Sequence, residues 1–415
     1  MLVMDSTRYL IVGGGLAGGS AVEAIRARDH EGRIVFVSDE QHLPYDRVAL
    51  SKGYLTGKLR QESLFLQEPR FYQEQRVEVL LGHGVQRLNT DMRTAILDDG
   101  QELKFERLLL ATGGRALRLP IPGGDLPGIY CLRTIEDSDA IRGAMSSARR
   151  AVIVGGGFIG CEIAAACVQK GLDTTIIEFG PSLLNVPLDP ETAQWITEYF
   201  TEQGVHVLTN EAAARFIEAN GRVAGVETKT GKKALGDFVV VGIGIAPNVE
   251  LAQEAGLPVD KGILVNEQLE TENEGIHAAG DVASFYSPLY GKHLRLEHYD
   301  VAVKHGEIAG ANMAGAQERC IDLPHFFSTM FKLRIEVWGD ATQRDVVVRR
   351  GPLELSEREG FAQFYLSQGR VQAYLSVIRP SKEAETAKTL ILSRLPIEDI
   401  SLLSDESVDL TSLTN

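Results

Sequence analysis

Cysteine is scarce in this chain of 415 residues: there are four, Cys131, Cys161, Cys167 and Cys320, and none stands before residue 131. No two form a C-x-x-C and none falls in a metal-ligand spacing, which argues against a zinc site and an internal iron–sulfur cluster. No metal site is expected. Basic charge is also short, with 42 Lys and Arg against 57 Asp and Glu and a net charge of -15. Nucleic acid and anionic membrane surfaces both require a basic footprint, so neither is an expected partner. Long apolar runs are missing as well, and none approaches the length of a transmembrane helix. A strand pattern begins within about ten residues of the start, leaving no room for a signal peptide, so the expected compartment is the cytoplasm.

What is present is glycine in a particular arrangement. With 44% hydrophobic and 24% charged residues the composition is that of a soluble globular protein, and the length calls for roughly two to four domains. Two glycine-rich loops stand out, Gly13-Gly14-Gly15-Leu16-Ala17-Gly18 and Gly155-Gly156-Gly157-Phe158-Ile159-Gly160. Each follows a short β-branched run and precedes an alanine-rich helical stretch, the context in which G-x-G-x-x-G binds a dinucleotide. The glycines permit a tight turn, approach to a pyrophosphate and close helix–strand packing, while the helix start aims free N–H groups at the phosphates. Two loops imply two dinucleotides.

The pattern predicts a first strand over 9–12, a helix over 18–28 and a second strand over 33–38, closed by Asp39 with Glu40 beside it. An acid there can bind both hydroxyls of an adenosine ribose. The run Leu108-Leu109-Leu110 ends in Ala111-Thr112-Gly113, small enough to pass close to a bound dinucleotide. After a Pro- and Gly-rich crossing near 117–125, the second unit repeats the pattern: strand 151–154, helix 160–170 and strand 174–177, closed by Glu178. Glu178 favours a free 2′-hydroxyl and repels a 2′-phosphate, so NADH is preferred to NADPH; a plain helix-start acid is the structural alternative. Further on, Ile276-His277-Ala278-Ala279 ends in Gly280-Asp281, a carboxylate at a strand end, where ligands of α/β sheets collect. Beyond about residue 323 short strands over 334–338, 346–349, 361–366 and 371–378, then a helix over 383–392, form a module without a glycine loop.

The fold class is therefore α/β, with two Rossmann-like dinucleotide-binding domains of glutathione-reductase-like type and a C-terminal α+β domain. The division expected is 1–116 and 247–323 for FAD, 117–246 for NADH and 324–415 for an interface module. In this order the chain resembles the two-dinucleotide-binding flavoprotein reductases, most closely the ferredoxin reductases of bacterial oxygenase systems, the putidaredoxin reductase and biphenyl dioxygenase reductase type. The segments that carry the resemblance are Leu43-Pro44-Tyr45-Asp46-Arg47 with Leu50-Ser51-Lys52, Leu132-Arg133-Thr134-Ile135-Glu136-Asp137, Gly160-Cys161-Glu162, Gly242-Ile243-Gly244, Leu395-Pro396 and Asp405-Glu406-Ser407-Val408.

The resemblance implies FAD on Gly13, Gly15, Leu16, Ala17 and Gly18, with Asp39 and Glu40 at its ribose, and further contacts from Arg47, Lys52, Val85, Ala111, Thr112, Gly113, Arg133, Gly280, Asp281, Glu297, His298 and Tyr299. It implies NADH on Gly155, Gly157, Phe158, Ile159, Gly160, Glu178 and Gly244. Lys52 and Glu162 are the implied catalytic pair, the lysine charge helping to hold reduced flavin; a solvated lysine and a helix-borne glutamate are the plain alternative. Phe158 holds the position that can cover the flavin until nicotinamide arrives, or it packs helix on sheet. Departures occur at Val48-Ala49, where the family has Pro-Pro, and at Tyr299 and Phe327, where it often has tryptophan; the last two bear on the acceptor.

Related enzymes that act through a disulfide or a reactive thiol need a cysteine near the first flavin segment, and this chain has none there. Electrons are thus expected to pass as hydride from NADH to flavin, then singly to an external carrier, a small iron–sulfur ferredoxin or a rubredoxin met transiently, in service of an oxygenase. Lys304, Lys332, Arg334 and Arg349 are candidates for a basic docking patch. The alternatives are a reductase of a small acceptor of monodehydroascorbate or quinone type and an NADH-sensing flavoprotein resembling apoptosis-inducing factor. Oligomeric state is left open, a homodimer included.

Overall fold

The computed structural model describes residues 6–321, 323–353 and 360–414. The chain divides into two compact units, one of Met1–Asp46, Gln61–Arg115 and Ala246–Pro324, the other of Arg47–Arg60, Ala116–Ile245 and His325–Asn415.

In the first unit the strands Val77–Leu81, Ile34–Ser38, Ser6–Val12 and Glu102–Leu110 are parallel neighbours, Ile276–Ala278 joins Glu102–Leu110 in parallel, and Thr94–Leu97 and Val85–Asn89 continue antiparallel. Leu10, Ile11 and all of Ile34–Ser38 are buried, which is why these segments read as unbroken aliphatic runs. The helix Leu16–Arg26 packs against Tyr299–Met313 through two glycines of the latter. A Cβ on Gly306 would lie 2.3 Å from the Ala17 carbonyl oxygen, and one on Gly310 2.5 Å from that of Ala21, so the backbones touch.

The second unit is built on a parallel sheet in the order Val205–Leu208, Asp173–Ile177, Arg150–Val154, Phe238–Val241, Ile129–Tyr130. An antiparallel trio, Ala213–Ala219, Arg222–Thr228 and Lys233–Leu235, accompanies it. Its C-terminal part is an antiparallel sheet, His325–Met330, Leu333–Gly339, Arg370–Val377, Phe361–Ser367, Val346–Arg350, with the helix Ser381–Ser393 against it. One core serves both sheets: Phe200 meets Phe331 at 5.3 Å between ring centres and Trp195 stands edge-on to Phe361 at 5.2 Å. Buried Arg350 donates to the carbonyls of Asp405 at 2.6 Å and Val408 at 2.9 Å, fastening the Asp405–Val408 tail.

Two expectations change here. Both glycine-loop helices start earlier than residues 18 and 160, at Leu16 and Phe158, because Gly15 and Gly157 are themselves the N-caps. The strand His325–Met330 has no sequence signal: burial alternates over Phe327–Met330, but the buried Ser328 is polar and the exposed Phe327 apolar, so the alternation does not show in residue type.

Candidate functional site

The first loop is shaped by three glycines with different tasks. Gly13 has φ +122° and a Cβ there would meet the Ala111 carbonyl oxygen at 2.1 Å; on Gly18 it would meet the Gly13 carbonyl oxygen at 2.2 Å. At Gly15 nothing lies within 4 Å, so space remains beside the helix start. That start carries no side-chain cap, whereas the helix Ile135–Ser147 is closed by a Thr134–Asp137 capping box. Uncapped N–H groups facing an open glycine fit a pyrophosphate.

Around this cradle the same unit gathers the other expected residues. Thr112 donates to the Asn248 carbonyl at 2.8 Å and Asn248 Nδ2 donates back to the Thr112 carbonyl at 2.9 Å, clamping the Ala111-Thr112-Gly113 turn. Gly280, at φ +76°, leaves a Cβ only 3.2 Å from Ala17, which brings the Gly280-Asp281 turn to the helix start. The Asp281 carbonyl accepts from Arg295 at 3.3 Å, and Arg295 pairs with Glu297 at 2.8 Å. The Gly280 N–H donates to His305 Nδ1 at 3.4 Å, and full burial pushes the His305 pKa down to about 3, keeping that ring a neutral acceptor. Asp39 is exposed, Glu40 accepts from the Tyr45 hydroxyl, and half-buried Val85 opens the mostly exposed strand Val85–Asn89. His298 caps the helix that begins at Tyr299, whose hydroxyl pKa is raised by burial and by Asp46 and Asp300.

The second unit repeats the cradle. Gly155 has φ +108°, with a Cβ 2.3 Å from the Gly242 carbonyl oxygen; a Cβ on Gly160 would lie 2.0 Å from that of Gly155; Gly157 is open and its helix uncapped. The Glu178 carboxylate is fixed by N–H donors from Gly156 and Gly180, each at 2.6 Å, and by Asn185 Nδ2 at 3.3 Å. Gly244, at φ +104°, is exposed and accepts from Leu117 at 3.0 Å, and Ile159 is exposed. The Phe158 ring stands edge-on to Phe326, 5.0 Å between centres.

Glu162, 5% exposed, lies on the helix of this cradle. Lys52 Nζ and Ser328 Oγ each donate to its Oε1 at 2.6 Å, and Ser51 Oγ donates to Oε2. A buried carboxylate with one cation and two hydroxyl donors is compensated rather than stranded. The pair expected from sequence is thus brought together, whereas no role was expected of Ser51, although it lies in the Leu50-Ser51-Lys52 segment, or of Ser328. Arg47 donates to the Arg133 carbonyl at 2.8 Å, and the Arg133 N–H donates to Asp137 at 2.8 Å, so these two positions are tied to each other.

The remaining candidates resolve simply. All four cysteines are free. Burial raises the Cys161 thiol pKa well above normal and that of Cys167 to about 12, so neither is poised as a thiolate. Among the candidate docking cations, Arg334 pairs with Glu336 at 2.6 Å, Arg349 with Glu191 at 2.6 Å and Lys304 with Glu307 at 3.1 Å, so each of the three has an acid beside it. Lys332 contributes a backbone N–H to the Tyr199 hydroxyl at 3.4 Å. Half-buried His83 and exposed Asp98 and Asp99 cluster, with Asp98 accepting from the Gly84 N–H at 3.0 Å in a turn. Among the described residues no helix is long and apolar enough to cross a membrane.

Two dinucleotide cradles, each on its own parallel sheet, define a two-dinucleotide-binding oxidoreductase. The chain belongs to the pyridine nucleotide-disulphide oxidoreductase family, whose pattern matches residues 7–306, and residues 325–414 match the reductase C-terminal family. It is 37% identical over 388 residues to the ferredoxin–NAD(+) reductase component of the biphenyl dioxygenase system of Paraburkholderia xenovorans, covering 93% of each chain. It is 30% identical over 383 residues to the rubredoxin–NAD(+) reductase of Ectopseudomonas oleovorans, covering 92% of this chain and 99% of that one. Its structure matches the reductase in the covalent putidaredoxin reductase–putidaredoxin complex with a TM-score of 0.93 and 35% identity, over 99% of this chain and 98% of the other. The protein is an NAD-dependent flavoprotein oxidoreductase with FAD and NADH as cofactors.

Proposed function

We propose that this chain moves electrons from NADH through FAD to a small iron–sulfur carrier, a ferredoxin or rubredoxin, which feeds an oxygenase in the cytoplasm. The observation that carries the reading is the pairing of two complete dinucleotide cradles with cysteines that form no disulfide, of which burial raises the thiol pKa of Cys131, Cys161 and Cys167. Relatives named for ferredoxin and rubredoxin support the choice of acceptor. The reducing cytoplasm suits unpaired cysteines.

In this reading the uncapped helix start at Leu16 and the open Gly15 hold the FAD pyrophosphate, and Asp39 takes the adenosine ribose. Gly155, Gly157 and Gly160 hold that of NADH, and Glu178 the ribose hydroxyls. FAD, when bound, supplies hydride acceptance and release of electrons one at a time. The protein's part is positioning and charge. Ser51 and Ser328 donate to Glu162 in place of water and fix the carboxylate, which holds Lys52 Nζ in one place. Lys52 favours the reduced flavin by its positive charge.

Steady-state NADH oxidation with a panel of ferredoxins and a rubredoxin, against quinones and monodehydroascorbate, tests the proposal. A carrier protein is expected to give the highest kcat/KM. Turnover that no iron–sulfur protein accelerates, with rapid reduction of a small acceptor, would replace the carrier with that acceptor.

A further inference from the structure

The two most exposed large apolar side chains recorded among the described residues, Val186 at 86% and Phe179 at 80%, are on one short segment of the second unit. That segment follows the strand Asp173–Ile177 and begins with Glu178. An exposed phenylalanine on a mobile loop would mean little, but the backbone here is pinned from several sides. Glu178 N–H donates to the Leu208 carbonyl at 2.8 Å, the Gly180 carbonyl accepts from Asn210 at 2.8 Å, and Leu184 N–H donates to the Gly156 carbonyl of the glycine loop at 2.9 Å. Leu183, Leu184 and Leu188 are buried and anchor the rest. The fold thus holds Phe179 out in water beside the acid and beside the loop.

Strand register adds a second reason. Val12 pairs with Val37 and Val154 pairs with Ile177, and the N–H groups of Gly13 and Gly155 donate to Val37 and Ile177 respectively, each at 2.9 Å. Ser38 and Glu178 are therefore equivalent, and so are Asp39 and Phe179. The outward position that carries an exposed acid in the first unit carries an exposed aromatic ring in the second.

We propose that Phe179 is the stacking platform for the adenine of NADH, so that the base is gripped by a ring while Glu178 takes the ribose. A purine offers a large π-face, and an aromatic ring that is already ordered loses little entropy on meeting it. The inference rests on NADH occupying the second loop. The ring contacts the half of the cofactor that does not react, so its contribution is uniform binding: KM should respond and kcat should not.

The test is Phe179→Ala and Phe179→Trp in the FAD-loaded protein, with NADH, reduced nicotinamide mononucleotide, which lacks the adenosine half, and ADP-ribose as a competitive inhibitor. For Phe179→Ala the KM for NADH and the Ki for ADP-ribose are expected to rise together by about tenfold. The kinetics with the mononucleotide, kcat and melting temperature should stay unchanged, and tryptophan should restore NADH binding. Unchanged NADH and ADP-ribose constants would overturn the platform, as would a rise only in the KM of the acceptor protein. Glu178→Ala separates the two levels: if it shifts NADH against NADPH while Phe179→Ala does nothing, the loop assignment stands and the platform falls. If neither variant changes any nucleotide constant, the loop assignment itself has failed.

Discussion

Gly13, Gly15 and Gly18 of the first loop have the surroundings of Gly155, Gly157 and Gly160 of the second: a positive φ against a facing carbonyl, an open Cβ position, and a helix start pressed on the loop's own backbone. With Gly15 and Gly157 aligned, the cradles differ at the side chains around them. Ser20 on the first helix stands where the second has Glu162, and Ser38 at the end of the second strand stands where the second unit has Glu178. One unit has small uncharged groups at these places, the other two fixed carboxylates. In the proposed function the backbone common to both holds a pyrophosphate, and the carboxylates of the second unit add a charged pair beside Lys52 and an acid that sets NADH apart from NADPH.

The largest effects should come from the shared backbone. Gly160→Ala puts a methyl 2.0 Å from the Gly155 carbonyl oxygen, and Gly18→Ala one 2.2 Å from that of Gly13, so in both the loop must move. A displacement of this kind costs about a hundredfold in rate and about 1–3 kcal/mol in stability. Gly160→Ala should keep its FAD absorbance but be reduced slowly by NADH, whereas Gly18→Ala should purify with little flavin. Equal flavin loss in both variants would break the division of labour.

Next comes the pair found in the second unit alone. Glu162→Gln keeps the shape but removes the charge facing Lys52, and a cost of about 1–3 kcal/mol is expected, with slower flavin reduction. Ser328→Ala removes one donor to the Glu162 carboxylate and should slow flavin reduction by NADH, and Ser328→Thr, which keeps a hydroxyl, should restore it. A reduction rate identical to that of the parent protein would make Ser328 a packing residue only.

These features divide by how local they are. The loops, the acid-bearing strand ends and Gly280-Asp281 are contiguous in sequence, so their places in the fold were legible. Ser328 reaches Glu162 across 166 positions, and no periodicity encodes such a contact. The one-residue offset between Asp39 and Glu178 appears only when strand register is known. Gly306 and Gly310 read as ordinary helical glycines until the facing helix is in view. The Asn248 clamp on Thr112 joins positions 136 residues apart and was hidden for the same reason as Ser328.

A smaller effect concerns cofactor choice. Glu178→Ala removes the charge that repels a 2′-phosphate, and the ratio of kcat/KM for NADH over NADPH should fall by about tenfold. An unchanged ratio would move the discrimination elsewhere.

The smallest effect at neutral pH separates the units by their histidines. In the first, burial lowers His305 from 6.5 to about 3, and burial with nearby Arg107 lowers His277 to about 4. The unfolded chain therefore binds more protons than the folded one between about pH 6.5 and 3. The stability these neutral rings lend is fully present above the unfolded value and is lost as pH falls through that window. Melting curves at pH 7 and pH 5 should show flavin release moving to lower temperature, and His305→Asn should reduce the slope. A slope that steepens in this variant would assign the acid sensitivity to other groups.

In the proposed function no described residue takes up electrons beside the bound FAD, which passes them to an external carrier. Anaerobic titration with NADH, followed by flavin absorbance, tests it most directly. The flavin should bleach fully with one equivalent of NADH per FAD and no further reducing equivalents should be consumed. Uptake of a second equivalent before full bleaching would reveal another two-electron acceptor, such as a disulfide, and contradict the account.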